Sequence, residues 1–282
     1  MAAEVLALVL LSALLHASWN VLAKGRPGGD PLLRAALIAA GGAAVSVPVL
    51  AWSGLPEVAS WPHLVASILI HVLYFVLVGM TLRGADLGVV YPLTRGTAPL
   101  GVAVTSLAVI GEGMSPAGWA GVLILSIGIV TVGSDAIRRR GLDVRSAALV
   151  ALNAGVIIAY TIVDGAGVRL SENAPGYIGA LMLGTGVGLY PVAARLSAGA
   201  MRRELAANWR FGLAGGAMLT GSYGIALWAM TKAPIAVVSA ARETSVLFAA
   251  VLGALFLGEG LGGARIAGAV LICAGLVLLR IA

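Results

Sequence analysis

Residues 89–113, VVYPLTRGTAPLGVAVTSLAVIGEG, return at 237–260 as VVSAARETSVLFAAVLGALFLGEG. The register continues from AGWAGVLILSIGIVTVG at 117–133 into ARIAGAVLICAGLVLL at 264–279. Arg95-Gly96-Thr97 answers Arg242-Glu243-Thr244, and Gly111-Glu112-Gly113 answers Gly258-Glu259-Gly260. Gly121 and Gly128 answer Gly268 and Gly275, with one residue gained or lost near Pro92. Apolar stretches resemble one another by chance. A register held by Arg, Thr, Gly-Glu-Gly and spaced glycines does not arise so easily, and it marks a duplicated helical unit.

The surrounding chain is a membrane sequence. Of its 282 residues, 60% are hydrophobic and 11% charged, with a mean hydropathy of +1.02. Soluble domains carry about a quarter charged residues. The net charge of +6 does not indicate nucleic acid, because the basic residues sit in short connections between apolar runs. The single cysteine, Cys273, excludes an intrachain disulfide and a cysteine-based metal cluster. The start MAAEVLALVL lacks the basic segment of a cleavable signal, and its apolar run continues to Asn20.

The apolar periodicity predicts helices at 3–23, 31–52, 62–82, 87–110, 116–135, 146–168, 175–197, 210–231, 234–257 and 262–281. That is an all-α membrane protein of about ten spans. Pro31 and Pro175 stand where helices begin, and Pro48 answers Pro191 across the repeat. The turn Arg138-Arg139-Arg140-Gly141 divides the chain into five-span halves, 1–140 and 141–282. An odd number of spans per half inverts the second relative to the first, around a central cavity between them. Lys24, Arg26, Arg34, Arg83, Arg138, Arg139, Arg140, Arg145, Arg195, Arg202, Arg203, Arg210 and Arg265 fall on one face. Only Arg169, Lys232 and Arg280 fall on the other, so the positive-inside rule places both termini outside.

The duplicated five-helix unit, the proline-containing fourth span and the Gly-Glu-Gly before a glycine-spaced fifth span resemble the EamA-type drug/metabolite transporter superfamily. The resemblance covers essentially the whole chain. It implies ten-helix carriers of amino acids, metabolites or drugs in the plasma membrane (the inner membrane, if bacterial), with no cofactor. The aromatic amino acid exporters are a neighbouring branch. It also implies a basket of helices around a central cavity, the fifth and tenth spans behind it. Some members have cytoplasmic termini, against the charge count.

Ionisable groups inside a span cost about 2.5–3.5 kcal/mol at its centre and face a cavity or a partner. Arg95 and Arg242 enter from opposite faces, each seven or eight residues deep, which brings both near the midplane. They either form a cationic centre for a carboxylate, pair with Glu243 or Asp164, or cap a broken helix. Pro92 and Pro99 each remove an intrahelical bond and can kink the fourth span, with freed carbonyls lining a cavity or the kink serving only packing. The ninth span has no interior proline, so it reads as continuous and the halves as mechanically unequal.

Aromatic and polar residues recur at helical spacing. Asn20 follows His16 by four, Tyr74 follows His71 by three, and Tyr91 and Tyr160 precede Arg95 and Asp164 by four. The repeat sets Trp19 against Tyr160 and Tyr74 against Tyr223, and Trp228 adds a ring. These rings suit an amphipathic or aromatic solute, or else ordinary bundle packing. Trp52, Trp61 and Trp209 lie near helix ends and read as an interfacial belt. His71 is a structural hydrogen-bonder or a proton carrier. Gly121, Gly128, Gly268 and Gly275 let helices approach closely, either within the chain or in a homodimer through the fifth and tenth spans. Glu112 and Glu259 read as helix-end residues.

No HExxH, GxSxG or GxGD motif is present, so an enzyme is not expected. Polar residues gather at mid-span rather than along a continuous stripe, which favours alternating access over a channel. No phosphate-binding loop is present, so the energy would come from the solute gradient, a proton or exchange. The reading is a secondary transporter, an exporter or facilitator of neutral or aromatic amino acids and related metabolites. The alternative is efflux of lipophilic cations. The partners expected are a small-molecule solute and membrane lipid.

Overall fold

The structure is a computed structural model that describes residues 1–24, 30–84, 87–197, 200–257 and 262–281. Arg26, Asp86, Gly258, Glu259 and Gly260 lie outside the described residues, as do the side chains of Lys24, Arg83 and Arg140.

The regular structure described is helical throughout. The twelve α-helices are α1 (Ala3–Lys24), α2 (Pro31–Ser53), α3 (Trp61–Gly84), α4 (Leu87–Thr105), α5 (Pro116–Val132), α6 (Ser134–Arg140), α7 (Val144–Leu170), α8 (Ala174–Leu196), α9 (Ala200–Met230), α10 (Ile235–Arg242), α11 (Ser245–Leu257) and α12 (Gly263–Ile281). A 3₁₀ turn, Val58–Ser60, precedes α3, and a π turn, Ser106–Ile110, extends α4. Nine segments among the described residues are long and apolar enough to cross a membrane, α10 and α11 together counting as one. The tenth, α5, has 17 residues, about 26 Å at 1.5 Å per residue, and suffices with its flanking turns.

Local chemistry sets the ends. Asp30 accepts the Leu32 amide at 2.9 Å and Asp143 accepts the Ser146 amide at 2.7 Å, each capping a helix start. Gly141 closes α6 at φ 72° and ψ −177°, a positive-φ conformation that glycine adopts without strain, with its amide on the Ile137 carbonyl. The arginine turn expected there is thus the last turn of a short helix. Helix α9 starts at Ala200, ten residues before its expected start, and bends at Asn208 (φ −128°, ψ 22°) before entering the bundle.

One expectation is reversed, that the ninth span is continuous. Helix α4 runs unbroken through Pro92 and Pro99, and its irregular turn comes later, at 106–110. The ninth span breaks although it has no proline. Glu243 and Thr244 form a tight turn, with the Glu243 amide on Ala240 and the Val246 amide on Glu243, three residues back instead of four. Thr244 Oγ1 also donates to the Ala241 carbonyl at 2.8 Å, competing for a helix acceptor.

Helix α5 lies along α12, α2 crosses α8 and α9, α1 packs on α9, and α7 packs on α3 and α4. Backbones touch where glycines meet. A Cβ on Gly41 would stand 1.9 Å from the Gly212 carbonyl oxygen, and one on Gly128 would stand 2.8 Å from that of Gly268. The glycine faces of α5 and α12 therefore cover each other within one chain. Of the two uses open to these glycines, the packing within one chain is the one the structure shows. Trp52 and Trp61 are exposed near helix ends, and Trp209 is exposed beside the Asn208 bend inside α9.

Successive spans cross in alternating directions, so both termini share one face, where the Met1 amino group reaches the Arg280 carbonyl at 3.5 Å. Among the described residues, Arg138, Arg139, Arg145, Arg195, Arg202 and Arg203 lie toward the opposite face. These are called the terminal and basic faces below.

Candidate functional site

A polar centre sits where α1, α4 and the broken ninth span converge. Arg95, on α4, donates through Nη1 to Glu243 Oε1 at 2.9 Å, and its Nη2 contacts His16 Nε2 on α1. Arg242, the last residue of α10, reaches the other ring nitrogen, Nδ1, through its Nη2 at 3.3 Å. Trp19 Nε1 donates to the same Nδ1 at 3.3 Å. The three side chains Arg95, Arg242 and Glu243 are all buried. The break in the ninth span is what turns Arg242 and Glu243 inward together.

The imidazole is oversupplied with donors. A neutral His16 carries a proton on one ring nitrogen and accepts on the other. Arg95 approaches one nitrogen, while Arg242 and Trp19 approach the other, so some N–H always faces an N–H. Arg242 Nε and Glu243 Oε2 are buried with no hydrogen-bond partner. Glu243 neutralises Arg95, and no carboxylate among the described residues pairs with Arg242.

Arg242 instead lies over the Tyr223 ring, 5.0 Å from its centroid. The Tyr223 hydroxyl points away, to Asp164 Oδ2 at 2.5 Å, while Tyr177 donates to Oδ1 at 3.0 Å. Asp164 is fully buried, and His71 Nδ1 stands 4.0 Å from its Oδ2. His71 Nδ1 also lies 3.0 Å from the Ser67 carbonyl and 3.1 Å from the Ser67 hydroxyl, one helical turn back. The Tyr223 ring thus separates the Asp164 carboxylate from the Arg242 guanidinium.

Between these groups lies a cavity walled by His16, Trp19, His71, Tyr74, Tyr160, Tyr223 and Arg242. Phe75, Met182, Thr185, Leu219 and Ala39 complete it. The rings are in contact: Tyr160 is 5.5 Å from Tyr74, 6.0 Å from Tyr223 and 4.5 Å from His71, centroid to centroid. The cavity is narrow, with room for a few waters rather than an amino acid, so its walls must part to admit a solute.

Of the residues singled out from the sequence, Trp19, His71, Tyr74, Tyr160, Tyr223 and Arg242 line this cavity. Arg95 and Glu243 stand behind it as an ion pair, and Asp164 stands behind Tyr223. Three are placed elsewhere. The Asn20 amide folds back on the His16 carbonyl of its own helix at 2.7 Å. Tyr91 is 36% exposed and does not line the cavity, its ring centroid 5.5 Å from the Arg95 guanidinium carbon. Trp228 packs against the core. Helical spacing pairs His16 with Asn20 and does not mark it as a site residue, although it joins both arginines. The signal available was a lone histidine in an apolar span with a tryptophan one turn on.

Residues 145–281 match the sequence profile of the EamA-like transporter family. That segment, just under half of the chain, is similar to the EamA-like transporter family. A crystal structure of a protein 17% identical in sequence superposes with a TM-score of 0.77, over 100% of this chain and 99% of that one. At that identity the likeness concerns the fold alone, and it extends the same architecture over the first half. No curated protein matches the sequence. The EamA-like family is one of membrane transporters, not of enzymes, and the spans accord with a multi-pass integral membrane protein. Asp164, Arg242 and the turn at Glu243 all belong to the matched domain. His16, His71 and Arg95 come from the half before it.

Proposed function

We propose that the protein is a secondary carrier that exports or facilitates neutral or aromatic amino acids and related carboxylate-bearing metabolites by alternating access. The observation that carries this reading is the convergence of Arg95 and Arg242 on His16, with only Arg95 neutralised. A buried cation without a counter-charge is unfavourable, and an arriving carboxylate relieves it. The carboxylate also accepts the N–H groups that the imidazole cannot match. Trp19, Tyr74, Tyr160 and Tyr223 offer ring faces to an apolar side chain.

The packing supports halves 1–140 and 141–282 as inverted repeats. Exchanging the halves turns the α1–α9 contact into the α7–α3 contact. It turns α4 on α7 into the broken ninth span on α1, and pairs α2 with α8 and α5 with α12. Such a relation gives two equivalent ways to open a central site. The basic face is assigned to the cytoplasm by the positive-inside rule.

Reconstituted liposomes offered a panel of labelled amino acids and quaternary ammonium dyes test the reading. Amino acids are carried, and Arg242→Gln lowers their flux about tenfold or more while the protein still folds. Trp19→Ala and Tyr74→Ala also lose flux with expression retained. Carriage of dyes but not amino acids, abolished by Glu243→Gln, would replace this reading with efflux of lipophilic cations. Glu243 and Asp164 are both already held by partners, which leaves no ready counter-charge for a cation.

A further inference from the structure

The terminal face carries a charged cluster that no part of the site uses. Glu112, in the Gly-Glu-Gly after α4, pairs through Oε1 with Arg169 Nη1, near the end of α7, at 2.7 Å. Its Oε2 accepts the Ile235 amide, the first of α10, at 3.0 Å, and the Ser106 hydroxyl at 3.2 Å. A carboxylate on the first amide of a helix answers both the free N–H and the positive end of the helix dipole. Arg169 in turn donates through Nε to the Met230 carbonyl at 2.8 Å and through Nη2 to the Ala233 carbonyl at 3.1 Å. One ion pair therefore ties together the ends of α4, α7 and α9 and the start of α10.

Helix α10 links this cluster to the cavity. It has eight residues, about 12 Å at 1.5 Å per residue. Glu112 holds its first amide, and Arg242 is its last residue, directed at His16. The turn at Glu243 and Thr244 separates it from α11, so it can move as a short rigid piece. A solute drawn to Arg242 pulls on one end of a rod whose other end is clamped at the terminal face. The clamp itself is partly wet, its side chains 30% and 21% exposed, so water can replace its contacts when it opens.

We infer that Glu112 and Arg169 form a latch that closes the terminal face of the carrier and fixes Arg242 through α10. This rests on the transport reading above, but the test needs no solute. A single cysteine is placed in the cavity wall by Thr185→Cys, in a chain carrying Cys273→Ser. Sealed vesicles are treated with a charged, membrane-impermeant methanethiosulfonate. Protease cleavage of an N-terminal tag reports which vesicles present the terminal face. With the latch intact, Cys labelling from that face is slow. Glu112→Gln and Arg169→Gln each speed it about three- to tenfold, Arg169→Lys gives an intermediate rate, and labelling from the basic face does not rise.

An unchanged rate in these variants overturns the inference. So does a chain with an intact latch that already reacts as fast as its variants. A lowered melting temperature with unchanged labelling also overturns it, leaving the pair a helix clamp without a gating role. Should Glu112→Gln fail to fold, Arg169→Lys keeps the charge and decides by its rate. Failure of the amino-acid flux assay with success here would remove the solute assignment and leave the latch standing.

Discussion

Arg95 and Glu243 meet at 2.9 Å between α4 and the broken ninth span, each side chain 5% exposed, and the bond joins the two halves of the repeat across the interior. Removing one partner of such a pair strands a buried charge, at a cost of about 3–5 kcal/mol, whereas removing both strands none. Glu243→Gln should therefore lower the melting temperature in detergent strongly. The double variant Arg95→Gln with Glu243→Gln should recover much of the loss. Additive losses would show that the two side chains act separately.

Tyr177 is fully buried and does not line the cavity, yet it donates to Asp164 at 3.0 Å. Tyr177→Phe should cost about 1–3 kcal/mol by leaving a carboxylate acceptor short of a donor. Tyr223→Phe removes the other hydroxyl while keeping the ring beneath Arg242. The first substitution should change stability more than solute affinity. Melting curves and flux measured on both variants separate the two effects, and an affinity loss in Tyr177→Phe as large as in Tyr223→Phe would contradict the division.

A Cβ on Gly128 would stand 2.8 Å from the Gly268 carbonyl oxygen, and one on Gly275 would stand 2.7 Å from that of Gly121. Backbone cannot yield as a side-chain tip can. Gly128→Leu and Gly275→Leu should each cost about 1–3 kcal/mol or more by prising α5 from α12. The same volume added at Ile127, which is exposed, should cost far less. Equal melting temperatures for Gly128→Leu and the parent chain would contradict the close contact.

Asp143 caps α7 at the basic face by accepting the Ser146 amide, and its hydrogen bonds with Ser146 hold the carboxyl below its ordinary value. A depressed folded-state pKa contributes stability that is complete above the unfolded value and fades as pH falls through the folded one. The first turn of α7 should fray on acidification into and below the ordinary carboxylate range. Amide exchange at Ser146 should then approach that of Asp143→Ala, which should show little pH dependence of its own there. A parent chain whose exchange, corrected for the intrinsic rate, stays flat across that range would remove the cap.

The sequence by itself determined the elements. Uninterrupted apolar runs of span length can satisfy their backbone polar groups in lipid only as helices, so the spans and most of their ends were legible. So were Trp19, His71, Tyr74, Tyr160, Tyr223 and Arg242 as cavity candidates, because repeat register and helical spacing are one-dimensional properties. Only the tertiary structure decided which polar groups meet. The bond from Arg95 to Glu243 spans 148 residues and that from Arg242 to His16 spans 226, distances over which no local pattern operates. It also put a helix break at Glu243 and Thr244, where no proline stands. A proline removes a hydrogen bond whether or not the helix bends, but a turn forms where buried partners draw side chains inward. The glycine spacing announced a close contact, and only packing made α5 and α12 each other's partner rather than a second chain's. Asn20 has the residue type of a site group, yet its amide closes on its own helix, a choice that depends on where the neighbouring helices leave space.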